Sequence, residues 1–346
     1  MTTAARAGLA VLAVCTLAGC ATAPASPGAP AGAPALEQAY VSVVAKVLPS
    51  VVQITNDRDL GSGIVMDDKG NIVTNAHVVG QATTFQVRLA GSASPVPATL
   101  VGSYPPDDLA VIHLDRRPSP APKPAHFGDS AALRIGDIVL AMGNPLGLTG
   151  SVTNGIVSAT DRTVSEPTGP GLPGATLPDV IQTSASINPG NSGGALVDLA
   201  GDVVGVPTLA AIDTGIGSGS AAPGIGFAIP SNVVTDIAGQ LIANGGHVIN
   251  SHRAAVGIGV LTVVDQNGQP EGAGVGTVTP GSPAATAGVQ VGEVITTVNG
   301  TPVHGARELA TVLAGLTPGQ AVPVVLRDPQ GATRTVTVTL GQLPGT

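Results

Sequence analysis

From Val51 onward the chain falls into short runs of alternating apolar residues, and Gly, Asp or Asn stops each run. Alternation of period two over four to eight residues, closed by turn residues, is the pattern of half-buried β-strands. One set covers residues 51–55, 63–66, 72–75, 85–89 and 110–114. A second covers 138–142, 152–159, 195–197, 203–207 and 226–229. Many short strands with frequent turns imply β-barrels or a sandwich, because no long helices are interleaved to build a parallel sheet. Apolar residues make up 43% of the 346, enough for sizeable cores. There is no Trp and there are only three Phe and two Tyr, so Ala, Val, Leu and Ile must fill those cores.

The run Ser186-Ile187-Asn188-Pro189-Gly190-Asn191-Ser192-Gly193-Gly194 presents a serine on a glycine-framed turn. Glycine accepts backbone angles that other residues resist, which lets several N–H groups point at one spot beside a hydroxyl. A serine needs a base to remove its proton, and the base needs a carboxylate to hold its tautomer. His77 follows an apolar alternating run, and Asp108 stands at the mouth of another. Asp107 is the local rival to Asp108. The chain order His77, Asp108, Ser192 argues against the α/β-hydrolase reading of Gly190-Asn191-Ser192-Gly193-Gly194, since that fold runs Ser, acid, His, and the lack of alternating long helices disfavours it too.

Together with Gly61-Ser62-Gly63-Ile64-Val65, Thr74-Asn75-Ala76-His77-Val78-Val79, Gly143-Asn144-Pro145 and Gly226-Phe227-Ala228-Ile229-Pro230, these residues resemble the HtrA (DegP-like) family of trypsin-fold serine proteases. The likeness runs from about Tyr40 to Leu343. It implies a mainly β fold, a chymotrypsin-like double β-barrel followed by one PDZ domain (α+β). It also implies peptide hydrolysis in which Ser192 attacks, His77 acts as base and then acid, and Asp108 orients His77. The oxyanion hole is expected at Gly190, Asn191 and Ser192. A pocket for small or medium aliphatic side chains is expected around Ile187, Val206, Pro207 and Thr208, with no acid at its base. Arg162 matches the arginine that begins the family's regulatory loop. This chain departs from the family at Ser184, where an aspartate is usual, and at Leu146, where an aromatic is common. Segments 163–178 and 209–223, rich in Gly, Pro and Ala, read as mobile loops or as plain linkers. A homotrimer is implied by the family, with Tyr40 the one aromatic near the N-terminus to support it.

Residues 231–244 predict a helix capped by Ser231 or Asn232, with Val233, Ile237 and Leu241 on one stripe. From Arg253 the segments Gly281-Ser282-Pro283-Ala284-Ala285, Gly292-Glu293-Val294-Ile295 and Val298-Asn299-Gly300 resemble a PDZ domain. In that likeness Val256, Gly257 and Ile258 hold a terminal carboxylate, and residues 306–313 form the helix across the groove from it. A module that only packs against the barrel is the alternative.

Arg6 and an apolar stretch over 7–17 read as a secretion signal, too short to span a bilayer. Leu17-Ala18-Gly19-Cys20 reads as a lipobox, with a plain secretory signal as the alternative. Processing there leaves Cys20 for lipidation and no partner for a disulfide. The expected order is signal 1–19, a Pro/Ala-rich tether 20–36, the protease domain 37–246, a hinge 247–252 and the PDZ domain 253–343. The protein is thereby expected outside the cytoplasm, lipid-anchored to a bacterial cell membrane. Net charge is −8 with no basic cluster, which argues against nucleic-acid binding. Six scattered histidines lack metal-site spacing, so neither a metal nor another cofactor is expected. Expected partners are unfolded or C-terminally exposed protein substrates, peptide C-termini at the PDZ groove, and the membrane through the lipid. A catalytically quiet PDZ chaperone or adaptor is the competing function.

Overall fold

The computed structural model describes residues 33–56, 60–92, 94–119, 121–144, 150–165, 175–188, 190–212 and 221–345. Helix α1 (Ala33–Val47) ends where Pro49 opens a 3-10 turn, since the ring cannot continue the helix. Strands β1 (Val51–Thr55), β2 (Leu60–Val65) and β3 (Asn71–Thr74) follow, then the four-residue helix α2 (Ala76–Val79). With β4 (Thr84–Arg88), β5 (Val96–Tyr104) and β6 (Leu109–Leu114) they close a barrel in the order β1-β2-β3-β6-β5-β4. The second barrel uses β7 (Ile138–Gly143), β8 (Ser151–Ser165), β9 (Thr176–Thr183), β10 (Ala195–Val197), β11 (Val203–Ile212) and β12 (Ala221–Pro230). Its order is β10-β11-β12-β9-β8-β7. The double barrel expected from the sequence is therefore present.

Each barrel has its own apolar interior, and a larger core joins the two. Val52, Ile54, Ile72 and Phe85 fill the first barrel. Val139, Val157, Leu196 and Ala228 fill the second. The shared core takes Val51, Val73 and Val111 from one barrel and Leu140, Met142 and Val206 from the other. Helix α3 (Ser231–Ala243) seals it with Val234, Ile237, Ala238 and Leu241. The stripe thus starts at Val234, and Val233 is only half-buried against it. Neither expected cap residue caps: the Ser231 hydroxyl donates to the Gly128 carbonyl at 2.6 Å, and Asn232 bonds Asp129 and Ser130. Tyr40 packs, half-buried, against this core.

Both long loops inferred from Gly and Pro content are hairpin arms at their roots. Val164 pairs with Leu177 and Ser165 with Thr176, while Ile212 pairs with Ala221. The β-branched and apolar residues at these positions extend the ladders, and register shifts absorb the bends.

The C-terminal unit begins with β13 (Ala254–Ala255) and contains β14 (Ile258–Val264), β15 (Pro270–Val278), α4 (Pro283–Thr286), β16 (Val294–Val298) and β17 (Thr301–Pro302). It ends with α5 (Ala306–Ala314), β18 (Ala321–Arg327), β19 (Thr333–Thr339) and β20 (Gly341–Gln342). The main sheet runs β14-β15-β16-β18-β19, which leaves β14 on an edge.

One turn recurs in all three units: Asp-x-x-Gly-x, at 67–71, 198–202, 265–269 and 328–332. In each, the aspartate Oδ1 accepts the N–H groups two and four residues on, at 2.7–3.0 Å. The glycine takes the positive φ that closes such a turn cheaply, between 78° and 103°. The segment 67–71 is the hairpin turn between β2 and β3. Among the described residues, no helix is long and apolar enough to cross a membrane.

Candidate active site

The first barrel brings His77 and Asp108 together by a two-way clamp. Helix α2 is so short that its first N–H groups have no helical acceptor. Asp108 supplies both acceptors: its carbonyl takes the Ala76 N–H at 3.1 Å and its Oδ1 takes the His77 N–H at 3.0 Å. The side chain of Asn75 adds a third bond, Nδ2 to the Asp108 carbonyl at 3.0 Å. Asp108 closes the 3-10 turn of Pro105–Asp107 with φ of 49°, a left-handed conformation that aspartate tolerates better than bulkier residues. With its backbone so fixed, its carboxylate faces the imidazole, and His77 Nδ1 lies 3.0 Å from Oδ1 and 2.9 Å from Oδ2. The carboxylate side chain is 2% exposed and the imidazole 27%, so the acid is sealed while the base reaches solvent.

The adjacent Asp107 turns the other way. Its Oδ1 takes Arg253 Nη1 at 2.8 Å, and the same guanidinium bonds the carbonyls of Pro106 and Thr176. Burial pushes the Asp107 carboxyl up, against the pull of Arg253. Of two neighbouring carboxylates, Asp108 serves the histidine and Asp107 ties the barrels to the C-terminal unit.

The second barrel carries Ser192 on a turn between Ser186 and β10. Asn191 holds that turn from inside. Its N–H goes to the Asn188 carbonyl, its Oδ1 accepts the Asn188 N–H, and its Nδ2 donates to the Ser186 carbonyl, all at 3.0–3.1 Å. Asn191, which stands between the two expected oxyanion-hole donors, bonds carbonyls of the turn through its N–H and its Nδ2. The N–H groups of Gly190 and Ser192 meet no backbone acceptor among the described residues. These are the two N–H groups the sequence reading expects at an oxyanion hole.

Of the expected pocket residues, Val206 and Ile187 are buried in the cores. Pro207 and Thr208 approach Ser192 through their backbones. The Pro207 carbonyl accepts the Gly193 N–H at 3.0 Å, and the Thr208 carbonyl accepts the Ser192 hydroxyl at 3.2 Å. The Thr208 hydroxyl reaches across to Asp108 Oδ2 at 2.5 Å and is buried there. Thr208 thus touches both nucleophile and acid, a role the sequence reading did not give it. Arg162 lies on β8 opposite Val180 with its side chain exposed. Among the described residues, no group of three His, Cys, Asp or Glu could hold a metal ion. Cys20 lies outside the described residues.

In the C-terminal unit a groove of about 500 Å³ runs between α5 and β14. Val256, Gly257 and Ile258 lie at one end of it, Leu309 and Leu313 line the helix side, and Pro106 borders it from the barrel. Gly257 has φ of 73°, and a Cβ there would come within 2.4 Å of Ser282 Cβ.

A family model for the trypsin-like peptidase domain matches residues 61–206, and one for the PDZ domain matches 274–327. The serine protease PepD of Mycobacterium tuberculosis is 40% identical over 316 residues, 87% of this chain and 65% of its own length. The serine endoprotease DegS of Escherichia coli is 37% identical over 315 residues, 86% of this chain and 85% of its own. The periplasmic serine endoprotease DegP of Escherichia coli is 39% identical over 280 residues, 78% and 54% of the two chains. Among solved structures, the HtrA-type protease AlgW with a decapeptide superposes with a TM-score of 0.58 at 31% identity, covering 88% of this chain and 99% of its own.

Proposed function

We propose, for a chain that belongs to the HtrA family of trypsin-like serine endoproteases with a C-terminal PDZ domain, an extracytoplasmic endopeptidase that cleaves unfolded or C-terminally exposed proteins through His77, Asp108 and Ser192. The observation that carries it is the pairing of a sealed Asp108 with a solvent-reaching His77, set against a serine turn with two spare N–H groups. Ser192 Oγ attacks the scissile carbonyl carbon while His77 Nε2 takes its proton, and Asp108 stabilises the resulting imidazolium. The Gly190 and Ser192 N–H groups receive the oxyanion. The imidazolium then protonates the leaving amine, and water hydrolyses the acyl-enzyme by the same route. Gly193, Pro207 and Thr208 frame the approach to Ser192, and the run Val206-Pro207-Thr208 carries no acid, which suits small or medium aliphatic side chains.

The PDZ unit takes peptide C-termini, with the carboxylate against Val256, Gly257 and Ile258 and the peptide added as a strand along the open edge of β14. Cys20 carries the lipid, and the Pro/Ala tether spaces the barrels from the membrane. Arg162 acts through the β8–β9 hairpin, whose root at Thr176 is bonded by Arg253. Leu36 and Val41 of α1, exposed at 40% and 57%, support assembly with further copies, a homotrimer by the family likeness.

A second reading, the quiet chaperone or adaptor, draws on one observation. The Ser192 hydroxyl has one proton and donates it to Thr208 rather than to a base. Hydrolysis of casein by the full chain, alone and with peptides ending in free apolar C-termini, separates the two. Cleavage that falls by about 10⁶-fold in Ser192→Ala establishes the peptidase. Peptide binding without Ser192-dependent cleavage, at any peptide or temperature, overturns it in favour of the adaptor.

A further inference from the structure

Ser62 sits on β2, opposite Gln53 of β1, and is fully buried. It belongs to the first barrel, yet three of its bonds cross to the second. Its N–H donates to the Ser192 carbonyl at 3.0 Å. Its hydroxyl donates to the Gly190 carbonyl at 2.5 Å and accepts the Asn144 N–H, from the end of β7, at 2.8 Å. Its own carbonyl is held by the Thr74 hydroxyl at 2.7 Å. Both residues whose N–H groups remain for an oxyanion are therefore bonded, at their carbonyls, to Ser62.

The hydroxyl matters because of what it holds. Gly190 has φ of 106° and no side chain to restrain the peptide planes on either side of it. Among the described residues, Ser62 is the one side chain bonded to the Gly190 carbonyl. Fixing that oxygen fixes the Gly190–Asn191 peptide plane, which lies between the Gly190 and Ser192 N–H groups, and so restrains the stretch of turn that carries both donors. The surroundings permit little relaxation. A Cβ on Gly143 would lie 2.5 Å from Asn191 Cα, and one on Gly193 would lie 2.3 Å from the Ser62 carbonyl oxygen. Neither β7 nor β2 leaves room for a side chain against the turn.

We propose that Ser62 is a positioning residue of the peptidase, whose hydroxyl sets the Gly190 peptide and so aims the oxyanion-hole donors from the opposite barrel. The inference rests on the peptidase reading above. It predicts a loss confined to the state in which charge develops on the carbonyl oxygen. Uniform substrate binding is untouched, because Ser62 touches no substrate.

The test compares the full-length wild type with Ser62→Ala and Ser62→Cys, using a chromogenic peptide substrate and a peptide boronic acid. The boronate forms a tetrahedral adduct on Ser192 that places an oxygen where the oxyanion would be. For Ser62→Ala the expected result is a kcat lower by about 10²- to 10³-fold, the size of a lost oxyanion donor. KM stays within about two-fold, boronate affinity falls in parallel with kcat, and the melting temperature holds within a few degrees. Ser62→Cys, with a weaker donor in the same place, recovers about ten-fold of the loss and carries the comparison if the alanine variant does not fold. Unchanged kcat and boronate affinity in folded Ser62→Ala overturn the proposal. So does a loss of activity that tracks melting temperature while boronate affinity per active site is kept. Wild-type chain with no Ser192-dependent hydrolysis removes the peptidase reading itself, and the inference with it.

Discussion

The two barrels contribute to one site in different ways. In the first, His77 and Asp108 are locked by bonds within 31 residues of sequence, through the start of α2 and the end of a 3-10 turn. In the second, the Ser192 turn is organised inside by Asn191, but its outward bonds go to Ser62 in the first barrel and to Thr208 on β11. The acid–base pair is a local construction, whereas the nucleophile and its N–H donors depend on how two separately closed sheets meet. The first half is therefore held mainly within its own barrel, and the second half also by bonds between the barrels.

The sharpest way to break that contrast is Asp108→Asn. The amide keeps the shape but presents an N–H to His77 and turns the imidazole to the wrong tautomer, so kcat should fall by about 10⁴-fold. Steady-state kinetics and a melting curve measured together check it. A comparable loss of stability would mean that the clamp, not the charge, dominates. Smaller in effect is Thr208→Val, which removes the one hydroxyl that links β11 to the acid. A hydrogen bond to a charged group is worth about 1.5–3 kcal/mol, so kcat should drop by about ten- to a hundred-fold with KM little changed. An unaltered kcat would show that the second barrel does not steady Asp108.

Smallest is Asp67→Asn, far from the site in the first barrel. Hydrogen bonds from Asn71, Lys69 and Gly70 hold the Asp67 carboxyl below its ordinary value, even though partial burial opposes them. A depressed carboxyl stabilises the fold above the unfolded value of 3.8 and loses that contribution as pH falls through the folded value. The substitution should cost about 1 kcal/mol at neutral pH and progressively less below that value. Denaturant titrations at pH 7 and pH 3 measure it, and equal costs at both would contradict the ionic account.

Much of this was legible in the chain because the signals are local. Ten of the twelve described barrel strands announce themselves by alternation, and the candidate triad by its flanking residues. Strand β5 escaped because Pro95 and Pro97 flank and enter it, and proline reads as a break although a strand tolerates it where no ladder N–H is needed. Strand β9 escaped because Pro178 and the Gly-rich stretch before it mask the alternation that begins at Thr176. Thr208 and Ser62 were invisible in their present roles for a different reason. Their partners lie 100 and 128 residues away, and no spacing rule reports a bond that exists only once both barrels have closed. The inward bonds of Asn191 were equally illegible, since its place between Gly190 and Ser192 says nothing of where its amide points.

The Asp-x-x-Gly-x turns bear on how such a chain finds its fold. Barrels are rich in contacts between distant residues, and closing them early is entropically costly. Each of these turns is specified within five residues and presets which positions face one another on the two strands it joins. Searching is thereby shifted from single strands to ready-made pairs, in every one of the three units. A single-residue insertion in such a turn would not merely lengthen a loop. It would offset one strand by a step, invert its inward and outward faces, and leave the core residues of that pair in water.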